Sequence, residues 1–174
     1  MTSIFLWSEG PYDDRFISSV IKPLFASKYN TVSVINYARM KNNSVRNYLK
    51  AIKQNNDNFL FFADLDDVAC VTRKKDDIKQ NYGPMADERI IVVVPEIESW
   101  YIAGLNSQSR KNMNIRHTGP TDSLDKEKFN ILLKKSKYTS KNDFTIEILK
   151  RYKLEEARKN NSPLSRFYDR YCSN

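Results

Sequence analysis

Three sets of carboxylates stand directly behind apolar runs. Glu9 follows residues 3–8 (Ser-Ile-Phe-Leu-Trp-Ser), Asp64 and Asp66 close residues 58–63 (Asn-Phe-Leu-Phe-Phe-Ala), and Glu96 and Glu98 follow residues 89–94 (Arg-Ile-Ile-Val-Val-Val). Carboxylate oxygens are the ligands that magnesium prefers, a few at a time, with water and substrate phosphate filling the remaining positions. Two residues along an extended chain span about 6.6 Å and share a face, so Asp64 and Asp66 are expected to approach one ion or a close pair. Carboxylates packed this closely repel, and a divalent cation is the natural compensation.

The elements that must position these acids follow from hydrophobic periodicity. Residues 3–8 form a short apolar run ended by Glu9-Gly10-Pro11, and residues 31–37 (Thr-Val-Ser-Val-Ile-Asn-Tyr) are β-branched and partly alternating. Residues 58–63 and 89–94 have the continuous apolar character of strands buried on both faces. Between them, Phe16, Ile17, Val20, Ile21, Leu24 and Phe25 recur at helical spacing, with Asp13 and Asp14 in the first turn, where carboxylates suit the helix dipole. A second helix is predicted over 44–54, with Ser44 as its N-cap and Val45, Tyr48, Leu49 and Ile52 on one face. A charged helix follows over 72–82, and Pro95 is placed to open another through Ala103. This rhythm implies an α/β fold, a Rossmann-like parallel four-stranded sheet with helices on both faces, whose ligands bind outside the carboxyl ends of the strands. Past Gly104 the strand signal stops: 106–120 reads as loop, and 125–135, 142–152 and 162–171 as short helices. The expected organisation is a metal-binding catalytic core over 1–105 and a basic helical extension over 106–174, packed on that core.

At 174 residues, with 40% hydrophobic residues, ten Tyr, nine Phe and only four Gly, the chain is that of an ordered globular protein. Cys70 and Cys172 are too few and too far apart for a disulfide framework or a zinc ribbon, and are expected as free thiols. Neither a signal-peptide pattern nor a spanning apolar run is present, so a soluble, cytoplasmic protein without a membrane partner is expected. The net charge of +8 is localised: residues 1–105 hold 13 basic and 13 acidic side chains, whereas 106–174 hold 16 and 8. A neutral body with a basic end points to a polyanionic partner such as DNA or RNA, set against the plainer reading of a solvated lysine-rich surface.

The acidic positions also carry a family resemblance. Phe5-Leu-Trp-Ser-Glu9-Gly10, with Asp13 and Phe16-Ile17 behind it, resembles the strand, Glu-Gly, helix opening of the TOPRIM domain shared by topoisomerases, primases and OLD (overcoming lysogenization defect) nucleases. Phe61-Phe-Ala-Asp64-Leu-Asp66 resembles the Asp-x-Asp strand end of that domain, and Val94-Pro-Glu-Ile-Glu98-Ser-Trp-Tyr-Ile-Ala103 is similar to small TOPRIM-like proteins associated with bacterial defence. The resemblance covers about the first 105 residues. It implies a TOPRIM-like fold, with Glu9 as general base or acid and metal ligand and Asp64 and Asp66 holding Mg²⁺, for which Mn²⁺ substitutes. By similarity to the OLD nucleases, Asp13 and Glu98 serve a second metal, with Glu96 the less secure candidate. The implied activity is magnesium-dependent endonuclease cleavage of DNA or RNA in a bacterial or phage-related defence system. No phosphate-binding glycine loop is present, so any ATPase is expected as a separately encoded partner.

Competing readings attach to the same residues. Asp64-Leu-Asp66-Asp67-Val68 also resembles the nucleophile motif of haloacid-dehalogenase-type phosphatases, but there the motif lies on the first strand and no Glu-Gly opening is explained. A non-catalytic protein that binds nucleic acid or a partner is the other alternative. Lys74 and Lys75 are placed to neutralise a phosphate or to lie on a solvated helix face. Arg151, Arg166 and Arg170, interleaved with Tyr152, Phe167, Tyr168 and Tyr171, are candidate nucleic-acid contacts, although helical spacing favours core packing for most of those aromatics. His117, the single histidine, is expected to face solvent. Trp7 and Trp100 are expected in the core or in a pocket wall.

Overall fold

The structure is a computed structural model and describes residues 3–173. Contacts divide the chain into two compact units between Val92 and Val93. The first carries a four-stranded, all-parallel sheet: β1 (Ser3–Ser8), β2 (Thr31–Asn36), β3 (Asn58–Asp64) and β4 (Ile90–Val93), in the order β2-β1-β3-β4. Central β1 pairs with both neighbours, Leu6 lying opposite Val34 and Leu60, and Trp7 opposite Ile35 and Phe61. The strands meet the expectation of a buried parallel sheet, for Phe59 to Ala63 are buried without a break.

The connections are helical. α1 (Pro11–Phe16), a π-helical turn (Ile17–Ile21) and α2 (Lys22–Phe25) lead from β1 to β2, α3 (Asn42–Gln54) from β2 to β3, and α4 (Val71–Tyr82) from β3 towards β4. Because β2 lies on one side of β1 and β3 on the other, the chain reverses its travel across the sheet at the boundary between β1 and β3. Such a reversal opens a crevice at the carboxyl ends of the two strands. On one face Trp7, Phe59, Phe61 and Ala63 pack with Val45, Leu49 and Ile52 of α3 and Ile78 of α4. Ile4, Leu6, Leu60 and Phe62, at the alternate positions, are buried as well.

Local details differ from the periodicity reading. The first helix begins at Pro11, whose missing N–H costs nothing at that position, and Asp13 and Asp14 lie in its first turn as expected. The turn at Ile17–Ile21 is widened ahead of Pro23, whose ring needs room at the carbonyl four residues back. α3 begins at Asn42, so Ser44 lies inside the helix, not at its cap.

The second unit is helical: α5 (Ile97–Ala103), α6 (Ser107–Asn112), α7 (Lys126–Lys135), α8 (Lys141–Lys150), α9 (Leu154–Asn160) and α10 (Ser162–Tyr171). Pro95 precedes α5 in a cis peptide bond with Val94, and Glu96 is the capping residue, so the helix does not open on Pro95. All seven residues of α5 are buried, and it packs on α7, α8 and α9. That packing is why α5 belongs to the helical unit and why the division falls ahead of the boundary expected at residue 105. Side-chain caps start four of these helices: Asn106, Asp125, Ser140 and Asn161 each accept a backbone N–H three residues ahead. Asn161 is fully buried and also donates to Thr121 Oγ1 at 3.1 Å.

Two helices were not anticipated. α6 lies in the expected loop because Ser107-Gln-Ser-Arg-Lys-Asn112 has no apolar stripe; its readable signal is the Asn106 cap. α9 has Glu155 and Glu156 in its first turn and Arg158 and Lys159 in its last, a dipole-matched pattern that apolar periodicity passes over. No helix among the described residues is long and apolar enough to cross a membrane.

Candidate functional site

The carboxyl ends of β1 and β3 bring two of the sequence-selected acids into contact. Glu9 follows the last residue of β1, and its Oε2 accepts the backbone N–H of Asp64, the last residue of β3, at 3.2 Å. This bond spans the switch point of the sheet. Asp13, one turn into α1, is buried, and one of its carboxylate oxygens lies 3.1 Å from where a side chain on Gly10 would begin. Gly10 therefore leaves room for the Asp13 carboxylate.

Asp66 reaches the same neighbourhood by a different route from the one expected. β3 stops at Asp64, and Asp66 has φ +50°, in the left-handed region that aspartate tolerates better than most residues. The chain has turned, so strand alternation does not set the spacing of Asp64 and Asp66. Lys74 of α4 orients Asp66 instead, its Nζ donating to Oδ2 at 2.8 Å. Burial pulls the Lys74 ammonium down, but its hydrogen bond to Asp66 and the fields of Glu9, Asp66 and Asp64 outweigh it and leave its affinity for the proton raised. One lysine thus senses three of the candidate acids.

Two tyrosines line the same region. Tyr37, just past β2, is buried and donates its hydroxyl to the carbonyl oxygen of Phe62 at 3.1 Å. Burial first, then Glu9, Tyr82, Asp13 and Asp64, push this phenol well above its ordinary value. Burial and Glu9 raise Tyr82 as well, against the opposing Lys74. Both remain protonated near neutral pH, and the Tyr37 proton is already given to the Phe62 carbonyl. Neither was selected from the sequence. Tyr37 ends a β-strand in the sequence pattern, and only the strand order shows that it reaches β3.

The donor set of Glu9, Asp13, Asp64 and Asp66 is all oxygen and fits a hard divalent cation in chemistry. Among the described residues, no group of three or more His, Cys, Asp or Glu side chains is drawn together closely enough to hold a metal ion. Lys74 supplies a positive charge beside Asp66 in this arrangement.

Most of the remaining candidates have other engagements. Lys75 Nζ donates to the carbonyl of Asp87 at 2.7 Å and lies 3.9 Å from its carboxylate, so it serves the 3₁₀ turn at Asp87–Arg89. Glu98, in α5 of the helical unit, is buried and paired with Lys141 Nζ at 2.7 Å. Glu96 accepts the backbone N–H of Lys126 at the start of α7. Arg151 is held by Glu147 one turn earlier. Arg166 and Arg170 are exposed, Arg170 lying over the Tyr171 ring. Phe167 is buried against Trp100, and Tyr152 donates to the carbonyl of Trp100 at 3.1 Å, so these aromatics belong to the core of the unit. Trp7 and Trp100 are both buried. His117 is half-buried, not solvent-facing, because its loop folds back and its Nε2 lies 3.2 Å from the Pro120 carbonyl. Cys70 is exposed, Cys172 is buried, and both are free. Compared with family models, with curated protein sequences and with solved structures, the chain matches none.

Proposed function

We propose that the first unit is a TOPRIM-like, magnesium-dependent nuclease site in which Glu9, Asp64 and Asp66 hold the metal, with Asp13 beside them. The observation that carries this reading is the Glu9 carboxylate bonded to the Asp64 backbone across the switch point of a parallel sheet. That crevice is where open α/β sheets bind ligands, and the acids in it are hard donors. When bound, magnesium supplies charge to the phosphoryl oxygens and lowers the pKa of its water. In this reading Glu9 exchanges a proton with an attacking or leaving oxygen. Lys74 balances the charge of Asp66. Glu98, neutralised by Lys141 within the helical unit, is not required. The basic excess of the C-terminal portion supports a nucleic-acid substrate, DNA or RNA, and a role in a bacterial or phage-related defence system, alone or with a separately encoded ATPase, follows from the same resemblance.

A second reading has an observation of its own. The Lys74–Asp66 pair already compensates one carboxylate, which suits an acidic site that positions structure in a protein binding nucleic acid or a partner. Purified protein incubated with Mg²⁺ or Mn²⁺ on plasmid, single-stranded DNA and RNA separates the two. Cleavage by the wild type that drops at least a hundredfold in Asp64→Ala supports the nuclease. Equal cleavage by Asp64→Ala, or binding without cleavage under every metal condition, removes it.

A further inference from the structure

The helical unit contains a pocket of about 350 Å³ between α6, the loop behind it and α9. Its charged lining is uneven: Arg110, Lys111 and Arg116 are the cations, and Glu156 is the one acid. Most cations around it are otherwise committed, Lys159 to Glu156 at 3.4 Å and Arg158 to Asp169 at 2.7 Å. Among the described residues, none of the three pocket cations is in an ion pair. Lys111 and Arg116 are exposed, whereas Arg110 is only 8% exposed.

Arg110 is the unusual member. A buried guanidinium is costly unless its charge is met, and carboxylates are the usual means. Here Nη1 donates to the carbonyl of His117 at 3.1 Å and Nη2 to that of Ile102 at 3.4 Å, while Nε has no partner. Burial pulls its proton affinity down, and the more distant Glu156 only partly restores it. Carbonyl dipoles hold the group in place without neutralising it. The three cations of the pocket outnumber its one acid by two, and that acid is itself paired with Lys159, on a wall that already holds one guanidinium in place.

We propose that this pocket binds a phosphomonoester, the terminal phosphate of a mononucleotide or of a nucleic-acid strand. A phosphomonoester carries about −1.5 to −2 charge near neutral pH, which matches the excess. Guanidinium groups present paired donors suited to phosphate oxygens, more so than to a singly charged carboxylate. The volume lies at the small end of the roughly 300–1,000 Å³ of ligand pockets, enough for one nucleotide-sized group and too small for a duplex. The site is independent of the acids of the first unit and requires no metal.

The test is calorimetric titration of the full chain in EDTA with inorganic phosphate, AMP, adenosine, and an octanucleotide bearing either a 5′-phosphate or a 5′-hydroxyl. Phosphate and AMP are expected to bind and adenosine not. Lys111→Glu with Arg116→Glu, two exposed positions checked for folding by circular dichroism, should weaken AMP at least tenfold. Asp64→Ala should leave AMP affinity unchanged, which separates this site from the nuclease reading. Tighter binding of the phosphorylated octanucleotide assigns the strand end as the source, and binding of AMP alone assigns a free nucleotide. Arg110→Lys keeps the charge but gives up the bonds to the His117 and Ile102 carbonyls that hold it against the pocket, and a partial loss is expected; if it fails to fold, the surface double variant decides. The proposal is overturned if no phosphate-bearing probe binds at millimolar concentration, if adenosine binds as well as AMP, or if the double variant binds AMP like the wild type.

Discussion

Replacing Lys74 by methionine removes the positive charge held against Asp66 while keeping most of the length of the side chain. Lys74 lies 2.8 Å from Asp66, with its own side chain 13% exposed and the aspartate 47% exposed. An exposed ion pair is worth about 0–1 kcal/mol, and a hydrogen bond to a charged group in a drier setting about 1.5–3 kcal/mol. The half-exposed aspartate places this pair between them, at ~1–2 kcal/mol. In EDTA, Lys74→Met should unfold more readily by that amount, because Glu9, Asp64 and Asp66 are left facing one another. Magnesium has to displace the ammonium from Asp66, so the same energy opposes metal binding in the wild type. Its removal should tighten Mg²⁺ affinity roughly 5- to 30-fold, read by calorimetry, and Mg²⁺ should recover the lost stability by mass action. In an Asp66→Asn background the lysine change should add little, since the pair is already broken. If Lys74→Met leaves Mg²⁺ affinity unchanged or weakens it, Asp66 is not a metal ligand and the charge-balanced structural site is the correct account.

Further predictions concern the rest of the chain. A methyl group on Gly104 would meet the Tyr152 ring at 2.3 Å, and that ring is held through its hydroxyl by the Trp100 carbonyl, so Gly104→Ala should cost about 1–3 kcal/mol in thermal unfolding. An unchanged Tm would show that the ring moves freely, and Tyr152→Leu in the same chain should recover part of the loss. Burial first, with Arg110 adding, lowers the His117 pKa against its bonds to the Pro120 and Gly119 backbone. Protonation then favours the unfolded chain: stability is full above the unfolded value near 6.5 and falls as pH drops through the folded one. His117→Gln should flatten the stability profile in that acid window, and a profile identical to wild type would contradict the assignment. Arg166→Glu with Arg170→Glu should weaken nucleic-acid binding and reduce its salt dependence, measured by fluorescence anisotropy. Indifference to both would leave those arginines as solvated helix surface.

The placement of the candidate acids is legible in part because it depends on local order. An apolar run followed by an acid marks a strand end wherever the strand lies in the sheet, so Glu9 and Asp64 could be picked from spacing alone. Asp66 was found for a reason the structure corrects: it stands beyond the strand in a left-handed turn, held by Lys74 and not by alternation. Tyr37 and Tyr82 were missed since tyrosines at element ends carry no chemical signature until a carboxylate is beside them. Lys75 was grouped with Lys74 as its neighbour in sequence, yet adjacent helix positions point about 100° apart, and it serves Asp87 instead.

The sequence by itself determined the four strands, the helices that carry an apolar stripe, and the acids Glu9 and Asp64 at the strand ends, because burial periodicity and turn chemistry are local properties of the chain; α6 and α9, which lack such a stripe, are not legible that way. It also placed the positive excess in residues 106–174. Only the tertiary structure decided the order β2-β1-β3-β4, which sets β1 beside β3 and lets Glu9 reach Asp64. Strand order is fixed by crossovers between segments 55 residues apart at that contact, and no periodicity encodes it. The same holds for charge. Counting located the cations, but only folding showed which ones carboxylates consume and that Arg110 lies buried with none.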